Sequence, residues 1–217
     1  CVTYDRRGHS RSASAGTEEI TAELDAEDAA GLIHALELAP CVIIAASGGG
    51  RPAVEVVRRH ADLVAGVVLV EPAFGELDPA GWDAFRGAVR PVVASALATG
   101  GQDAAVAAFI EALAPGIWAT LSEAQRARYR ENGQRMLVAT SGRHTPIHRA
   151  DLARIQRPCL VLRGERSFAV FRTVAEIVAE SVPGCQLTDL RDAGHLAYLE
   201  QPDAFAQAVM SFVERIG

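Results

Sequence analysis

The sequence predicts an α/β fold, a mostly parallel sheet flanked by helices, and three observations predict it. Short runs such as 64–70 (Val-Ala-Gly-Val-Val-Leu-Val) and 159–162 (Cys-Leu-Val-Leu) are apolar at successive positions, not alternate ones. A strand reads this way when helices bury both of its faces, as in a parallel sheet. Each such run alternates with a stretch whose apolar residues recur at helical spacing. Residues 42–50 then read as strand, sharp turn and helix: Val42-Ile43-Ile44-Ala45, small residues around Ser47, and three glycines.

Taken in order, residues 1–4 read as the tail of a buried strand ending at Asp5-Arg6-Arg7-Gly8-His9-Ser10. Residues 11–16 are rich in serine, glycine and alanine and read as a loop. Thr17 before Glu18 and Glu19 suits a helix start, because a capping hydroxyl and acidic residues complement the N-terminal dipole. Ala29, Ala30, Leu32, Ile33, Leu36 and Leu38 form an apolar stripe closed by Pro40. A strand follows over 41–46, a helix over 52–59, and a strand over 63–70 that ends at Glu71-Pro72. From there no strand-like run occurs until 158. Alanine-rich amphipathic stretches follow one another instead, at 82–98, 103–113 and 123–139, with Trp82, Trp118, Phe74, Phe85 and Phe109 among them. The alternation then resumes with a strand (159–162), a helix (172–181), a strand (186–190), the loop Asp192-Ala193-Gly194-His195 and a closing helix (202–215). Residues 1–71 and 158–217 therefore read as the sheet-bearing core, and 72–157 as a helical lid, or cap, inserted between two strands.

With 217 residues the chain is long enough for one sizeable core. Its 49% hydrophobic and 22% charged residues are ordinary for a globular protein. The formal charge of −6 argues against nucleic acid or an anionic membrane as a partner. No apolar run approaches the roughly 18 residues of a membrane span, and no basic-then-apolar leader is visible. Cys1, Cys41, Cys159 and Cys185 show no C-x-x-C spacing, and they read as free thiols in a reducing compartment. The expected location is cytoplasmic.

The chemistry centres on Ser47. A serine on a sharp strand-to-helix turn projects its hydroxyl out of regular structure, and only small neighbours permit so tight a turn. The following helix aims its free N–H groups and positive dipole end at the same place, which suits an oxyanion. Ser47 is therefore the candidate nucleophile.

Four segments now resemble the α/β-hydrolase family, and the resemblance covers nearly all of the chain. Tyr4-Asp5-Arg6-Arg7-Gly8-His9-Ser10-Arg11-Ser12 is similar to the loop after the family's fourth strand. Ala45-Ala46-Ser47-Gly48-Gly49 is similar to its G-x-S-x-G elbow, with alanine for the first glycine. Residues 158–165 resemble its P-x-L-x-L-x-G-E strand. Gly194-His195 with Glu200-Gln201-Pro202 resembles its G-H-x-x-x-x-E-x-P segment. The resemblance implies that Ser47 attacks an acyl carbon, that His195 acts as general base and acid, and that the Gly48 N–H supplies one oxyanion donor. His9, His34, His60, His144 and His148 lack the glycine-led loop beyond the last strand, although His144 and His148 fall in the lid, within reach of a substrate.

The acid departs from the usual pattern. The family usually places an aspartate two residues beyond the G-E, and here that position is Ser167. Members resembling the haloalkane dehalogenases carry the acid after the strand that follows the nucleophile helix, which here is Glu71. Glu71 is the first choice, Glu165 the reserve and Asp192 the outsider. The competing structural role for Glu71 is an ion pair with Arg51 or bonds to backbone amides.

The second oxyanion donor belongs to a family loop that should precede Cys1. An upstream stretch, with the sheet's N-terminal strands, is thus expected beyond the given start. The function implied is a serine hydrolase of carboxylic esters or similar acyl bonds with a small apolar substrate, needing no metal or organic cofactor. Amide, lactone and C–C bond hydrolysis use the same residues and stay open. The alternative is a catalytically impaired or binding-only member of the fold.

Overall fold

Four parallel strands lie side by side in sequence order. They are β1 (Cys41–Ala46), β2 (Val64–Val70), β3 (Cys159–Gly164) and β4 (Gln186–Leu190). This computed structural model describes residues 1–12, 20–133, 136 and 145–217. Among the described residues the helices are α1 (Ala22–Ala35), α2 (Gly50–Arg59), α3 (Pro79–Leu113), α4 (Ile117–Thr120), α5 (Glu123–Glu131), α6 (Arg149–Leu152), α7 (Ala169–Ser181), α8 (Ala197–Glu200) and α9 (Pro202–Ile216).

The continuous apolar runs of β2 and β3 are explained by two cores, one on each face of the sheet. Successive side chains of a strand point to opposite faces. Val67, Leu69 and Val161 enter a core shared with α1, α2 and α7, whereas Val68, Val70, Leu160 and Leu162 pack against Val209 and Phe212 of α9. All seven are at most 1% exposed, and burial of each contributes about 1.5–3 kcal/mol. Gly66 lets α9 come close, because a Cβ there would stand 2.6 Å from the Ile216 side chain. β1 differs. It lies at the edge of the four-stranded sheet, none of its residues is fully buried, and Ile44 is exposed.

Several boundaries move from the sequence reading. Residues 1–6 form no strand, and Val2 and Tyr4 are exposed. Thr17 lies outside the described residues, and α1 is instead capped by Thr21, whose hydroxyl accepts from the Leu24 N–H at 3.2 Å. The serine turn passes through one turn of 3-10 helix, Ser47–Gly49, before α2 begins. The stretches at 82–98 and 103–113 merge into α3, which is broken at Gly101 (φ 72°, ψ −166°). The stretch at 123–139 is helical over α5, while 134, 135 and 137–139 lie outside the described residues. By length and composition α3 is also long and apolar enough to cross a membrane, with mean hydropathy 1.3 over its best 18-residue window. No unbroken apolar run marks it, because Gly100, Gly101, Gln102 and Asp103 interrupt its alanines, valines and leucines.

The helices between β2 and β3 pack on the core at two places. Trp82, Phe85 and Val89 of α3 meet Phe168 and Phe171 at the start of α7. Ile110, Ala114 and Ile117 meet Leu196, Tyr198 and Leu199, immediately after His195.

Candidate active site

Ser47 and Glu71 follow immediately after the last paired residues of neighbouring strands, Ala46 and Val70. Both have positive φ, 51° and 50°. A non-glycine residue held there costs roughly 1–3 kcal/mol and persists only where its surroundings enforce it. At Ser47 the enforcement is visible in the main chain, since its carbonyl accepts from the N–H groups of Gly50 and Ala73, the latter at 3.3 Å. Alanine in place of the elbow's first glycine is accommodated, because a Cβ added at Gly49 would lie 3.9 Å from the Ala45 Cβ, an ordinary contact.

Ser47 Oγ lies 3.0 Å from His195 Nε2, and His195 Nδ1 lies 3.1 Å from Glu71 Oε2. A carboxylate only accepts, so Nδ1 carries the proton in this pairing and Nε2 is free to accept from the serine hydroxyl. Glu71 is completely buried. Its charge is compensated by three donors: the Gly164 N–H to Oε1 at 2.6 Å, and the Ser167 hydroxyl and His195 to Oε2. An unpaired carboxylate could not be held there. Arg51, the competing ion-pair partner, goes elsewhere. It makes a bidentate pair with Glu76 (2.8 and 2.6 Å) and donates to the Ala73 and Thr145 carbonyls. Burial opposes ionisation of Glu76, but Arg51 and the Ile147 N–H outweigh it and hold this carboxyl below its usual range.

The histidine loop is fastened on three sides. Glu200 accepts the Gly194 N–H at 3.0 Å, which gives the acidic residue of the G-H-x-x-x-x-E segment a physical task. Glu165 is exposed and accepts the Asp192 N–H at 3.3 Å, so this carboxylate holds the loop and not the imidazole. Arg166 donates its backbone N–H to Ala193 O (2.8 Å) and its guanidinium to Asp192 O. Asp192, the outsider for the acid, is exposed and turns the chain with φ 59°. Gly164 must be glycine, because a Cβ there would stand 2.2 Å from the Gly194 carbonyl oxygen. The Phe171 ring lies against the imidazole, with centroids 4.0 Å apart.

The structure thus brings Ser47, His195 and Glu71 together, with Gly48 in the first turn after the serine. It does not bring Glu165 or Asp192 into hydrogen bonding with the imidazole. Of the other histidines, His9 contacts the Arg7 carbonyl, His60 pairs with Glu27, His34 is exposed, and His148 precedes α6. His144 lies outside the described residues. Among the described residues no cluster of His, Cys, Asp or Glu is placed to hold a metal ion. Sequence reasoning missed Ser167, Gly164 and Phe171 as neighbours of the acid and base. Ser167 was the one with a signal, since a hydroxyl occupied the position where an acid was expected.

Solved structures with the same fold include a hydrolase from Pseudomonas aeruginosa (28% identity, TM-score 0.73, 97% of this chain and 78% of that one). Others are an enol-lactonase from Burkholderia xenovorans (24%, 0.74, 97% and 79%) and an esterase from a Rhodococcus species (22%, 0.76, 98% and 79%). The chain spans about four fifths of each. Residues 1–208 match the model of the alpha/beta hydrolase family. With that match over nearly its whole length, the chain belongs to the alpha/beta hydrolase family.

Proposed function

We propose that the protein is a serine hydrolase of carboxylic esters, with Ser47 as nucleophile, His195 as general base and acid, Glu71 as the acid that orients His195, and the Gly48 N–H as an oxyanion donor. The observation that carries this reading is the unbroken line of hydrogen bonds from Ser47 Oγ through the imidazole to Glu71. As Ser47 Oγ attacks the carbonyl carbon, its proton passes to Nε2. The carbonyl oxygen takes the charge and faces the start of α2. His195 then protonates the leaving alkoxide, and a water activated by the same nitrogen hydrolyses the acyl-enzyme. Glu71 stays ionised and stabilises the imidazolium that forms twice in each turnover. No metal or organic cofactor takes part in these steps.

The helices between β2 and β3 serve as the cap. Trp82, Phe85, Phe168 and Phe171 form an apolar wall that reaches the imidazole, so the favoured substrate is a small ester with an apolar part. Lactones, being cyclic esters, fit the same chemistry. The four free thiols and the net negative charge support a cytoplasmic setting with no nucleic-acid or membrane partner. A binding-only role was motivated by Ser167 in place of an acid and by an oxyanion loop expected upstream of Cys1, and the Ser167–Glu71 bond speaks to the first of these alone.

The test is hydrolysis of short p-nitrophenyl esters by the parent and by Ser47→Ala. Loss of at least about 10⁴-fold in rate is expected, together with labelling of Ser47 by a fluorophosphonate that disappears in His195→Ala. Equal rates for parent and variant would sink the proposal.

A further inference from the structure

Two of the four cysteines form a pair that the hydrolytic site does not use. Leu160 of β3 is in register with Gln186 of β4, so Cys159 and Cys185 stand opposite one another one residue upstream on parallel neighbours. Adjacent strands run about 4.7–4.9 Å apart, inside the 4.4–6.8 Å Cα separation that disulfides use. Both side chains face the same core, which Cys159 helps to form and against which Cys185 packs. The Cys185 thiol itself donates to the Gln186 carbonyl oxygen, 3.6 Å away. They differ in access: Cys159 is 1% exposed, while Cys185 is partly exposed in the turn that follows Gly184.

We propose that Cys159 and Cys185 are an oxidisable dithiol that closes to an intrachain disulfide on exposure to a peroxide. Cys185 is the group that reacts first. The neighbouring Cys159 thiol holds its ionisation below the usual thiol range, and the same neighbour together with burial pushes Cys159 up. The thiolate is the reactive form. The Cys185 thiolate attacks a peroxide oxygen, the O–O bond breaks, and a sulfenic acid forms as hydroxide leaves. The Cys159 sulfur then attacks the sulfenic sulfur, and its proton leaves with the departing hydroxide as water. In sum, two thiols and one hydrogen peroxide give one disulfide and two waters, and a small-molecule dithiol reverses the step.

Position decides the consequence. The pair sits at the N-terminal ends of β3 and β4, whereas Ser47 and Glu71 lie beyond the C-terminal ends of β1 and β2. Closing the bond does not touch the hydrolytic groups. It encloses residues 160–184, the segment that contains Gly164 and Ser167, both donors to Glu71, and Phe171 beside the imidazole. A cross-link of that span restricts the unfolded chain. The oxidised protein keeps its hydrolytic rate and resists unfolding better.

The full chain is treated with about one to ten equivalents of hydrogen peroxide, then examined by non-reducing peptide mapping and thermal unfolding with and without dithiothreitol. The expected result is a Cys159–Cys185 cross-linked peptide, a mass loss of two hydrogens, and a Tm raised by about 6–12 °C that dithiothreitol reverses. Cys185→Ser abolishes the shift, whereas Cys41→Ser retains it. The mapping is done on the unaltered protein, so the outcome does not depend on a variant folding. Sulfinic acid on Cys185 without a cross-link, a disulfide to Cys1 or to a second copy, or a cross-link that leaves Tm unchanged would each overturn the proposal.

Discussion

Ser47 and Glu71 occupy the same place on neighbouring strands, one residue beyond the paired positions Ala46 and Val70, with φ of 51° and 50°. The backbone solves one geometric problem twice, throwing a side chain off the end of a strand toward the histidine loop. The surroundings differ. Ser47 is partly exposed and, among the described residues, its side chain bonds only to His195, whereas Glu71 is fully buried and receives three hydrogen bonds. A nucleophile has to be reached by substrate, and its hydroxyl has to give up a proton. An orienting acid has to be charged, dry and immobile, and a buried charge is tolerated only when donors surround it. The same turn is thus fitted for reactivity in one strand and for rigidity in the next.

Removing the charge of Glu71 while keeping its shape is the most severe way to break the comparison short of removing the nucleophile. In Glu71→Gln the Gly164 N–H cannot turn away, so the amide oxygen faces it and the NH₂ group faces His195 and Ser167. The imidazole then accepts at Nδ1 and carries its proton on Nε2, the wrong nitrogen for taking one from Ser47. We expect kcat to fall about 10³–10⁴-fold with KM nearly unchanged. A loss below tenfold in steady-state ester hydrolysis would mean that Glu71 does not orient the base.

Glycine at the two positions sharpens the contrast, because glycine adopts positive φ without strain. Ser47→Gly relieves the turn and removes only one side-chain hydrogen bond, so stability rises by about 1 kcal/mol. Glu71→Gly relieves the same strain but leaves the Gly164 N–H and the Ser167 hydroxyl without an acceptor beside a cavity, and stability falls by about 3 kcal/mol or more. Urea unfolding of both variants is the measurement. Equal signs would show that the two turns are held by backbone alone.

The Arg51–Glu76 pair joins the start of α2, just after Ser47, to the chain beyond Glu71, and it provides a pH-dependent test. The folded-state pKa of Glu76 is depressed below its usual 4.5. Its contribution is therefore present above about pH 4.5 and is lost as pH falls through the lower folded value. Glu76→Gln is expected to cost about 1–3 kcal/mol at pH 7, and the gap to the parent should close on acidification toward pH 3. A gap that stays constant across that range would exclude the ion pair as its source.

How much of this was legible in sequence follows from the range of the forces involved. Strands β1 to β3 were readable because their apolar runs are local and unbroken, β4 by its place in the alternation of strands and helices, and Cys41–Ala46 and Gln186–Leu190 have the bounds read from sequence. Ser47 and His195 carry local signatures, small residues at a turn and a glycine before the imidazole. Glu71 was reachable only by noticing that Ser167 cannot carry a charge. What remained hidden was pairing across distance. Nothing local in Ser167 says that its hydroxyl meets a carboxylate on another strand, and nothing in Glu165 says that it serves the loop backbone in place of the imidazole. Residues 1–4 misled because an apolar run implies a strand only where a neighbouring strand pairs with it, and among the described residues none does.

His195 is the third member of the constellation and differs from both strand-end residues in lying on a loop whose following residues pack against the inserted helices. Three residues after it, the half-buried Tyr198 neighbours Tyr129 of α5, and burial pushes both phenols up. Around them Ile110, Ala114, Ile117 and Leu196 pack in one cluster. Tyr129→Phe deletes one phenol hydroxyl and leaves the turns at Ser47 and Glu71 untouched. Stability should fall by about 1 kcal/mol. If the insertion positions substrate while the sheet positions the reacting groups, KM for apolar esters rises a few-fold and kcat changes less than about threefold. A fall in kcat with KM unchanged would instead mean that the inserted helices hold the imidazole itself, and that only two of the three groups are set by the sheet.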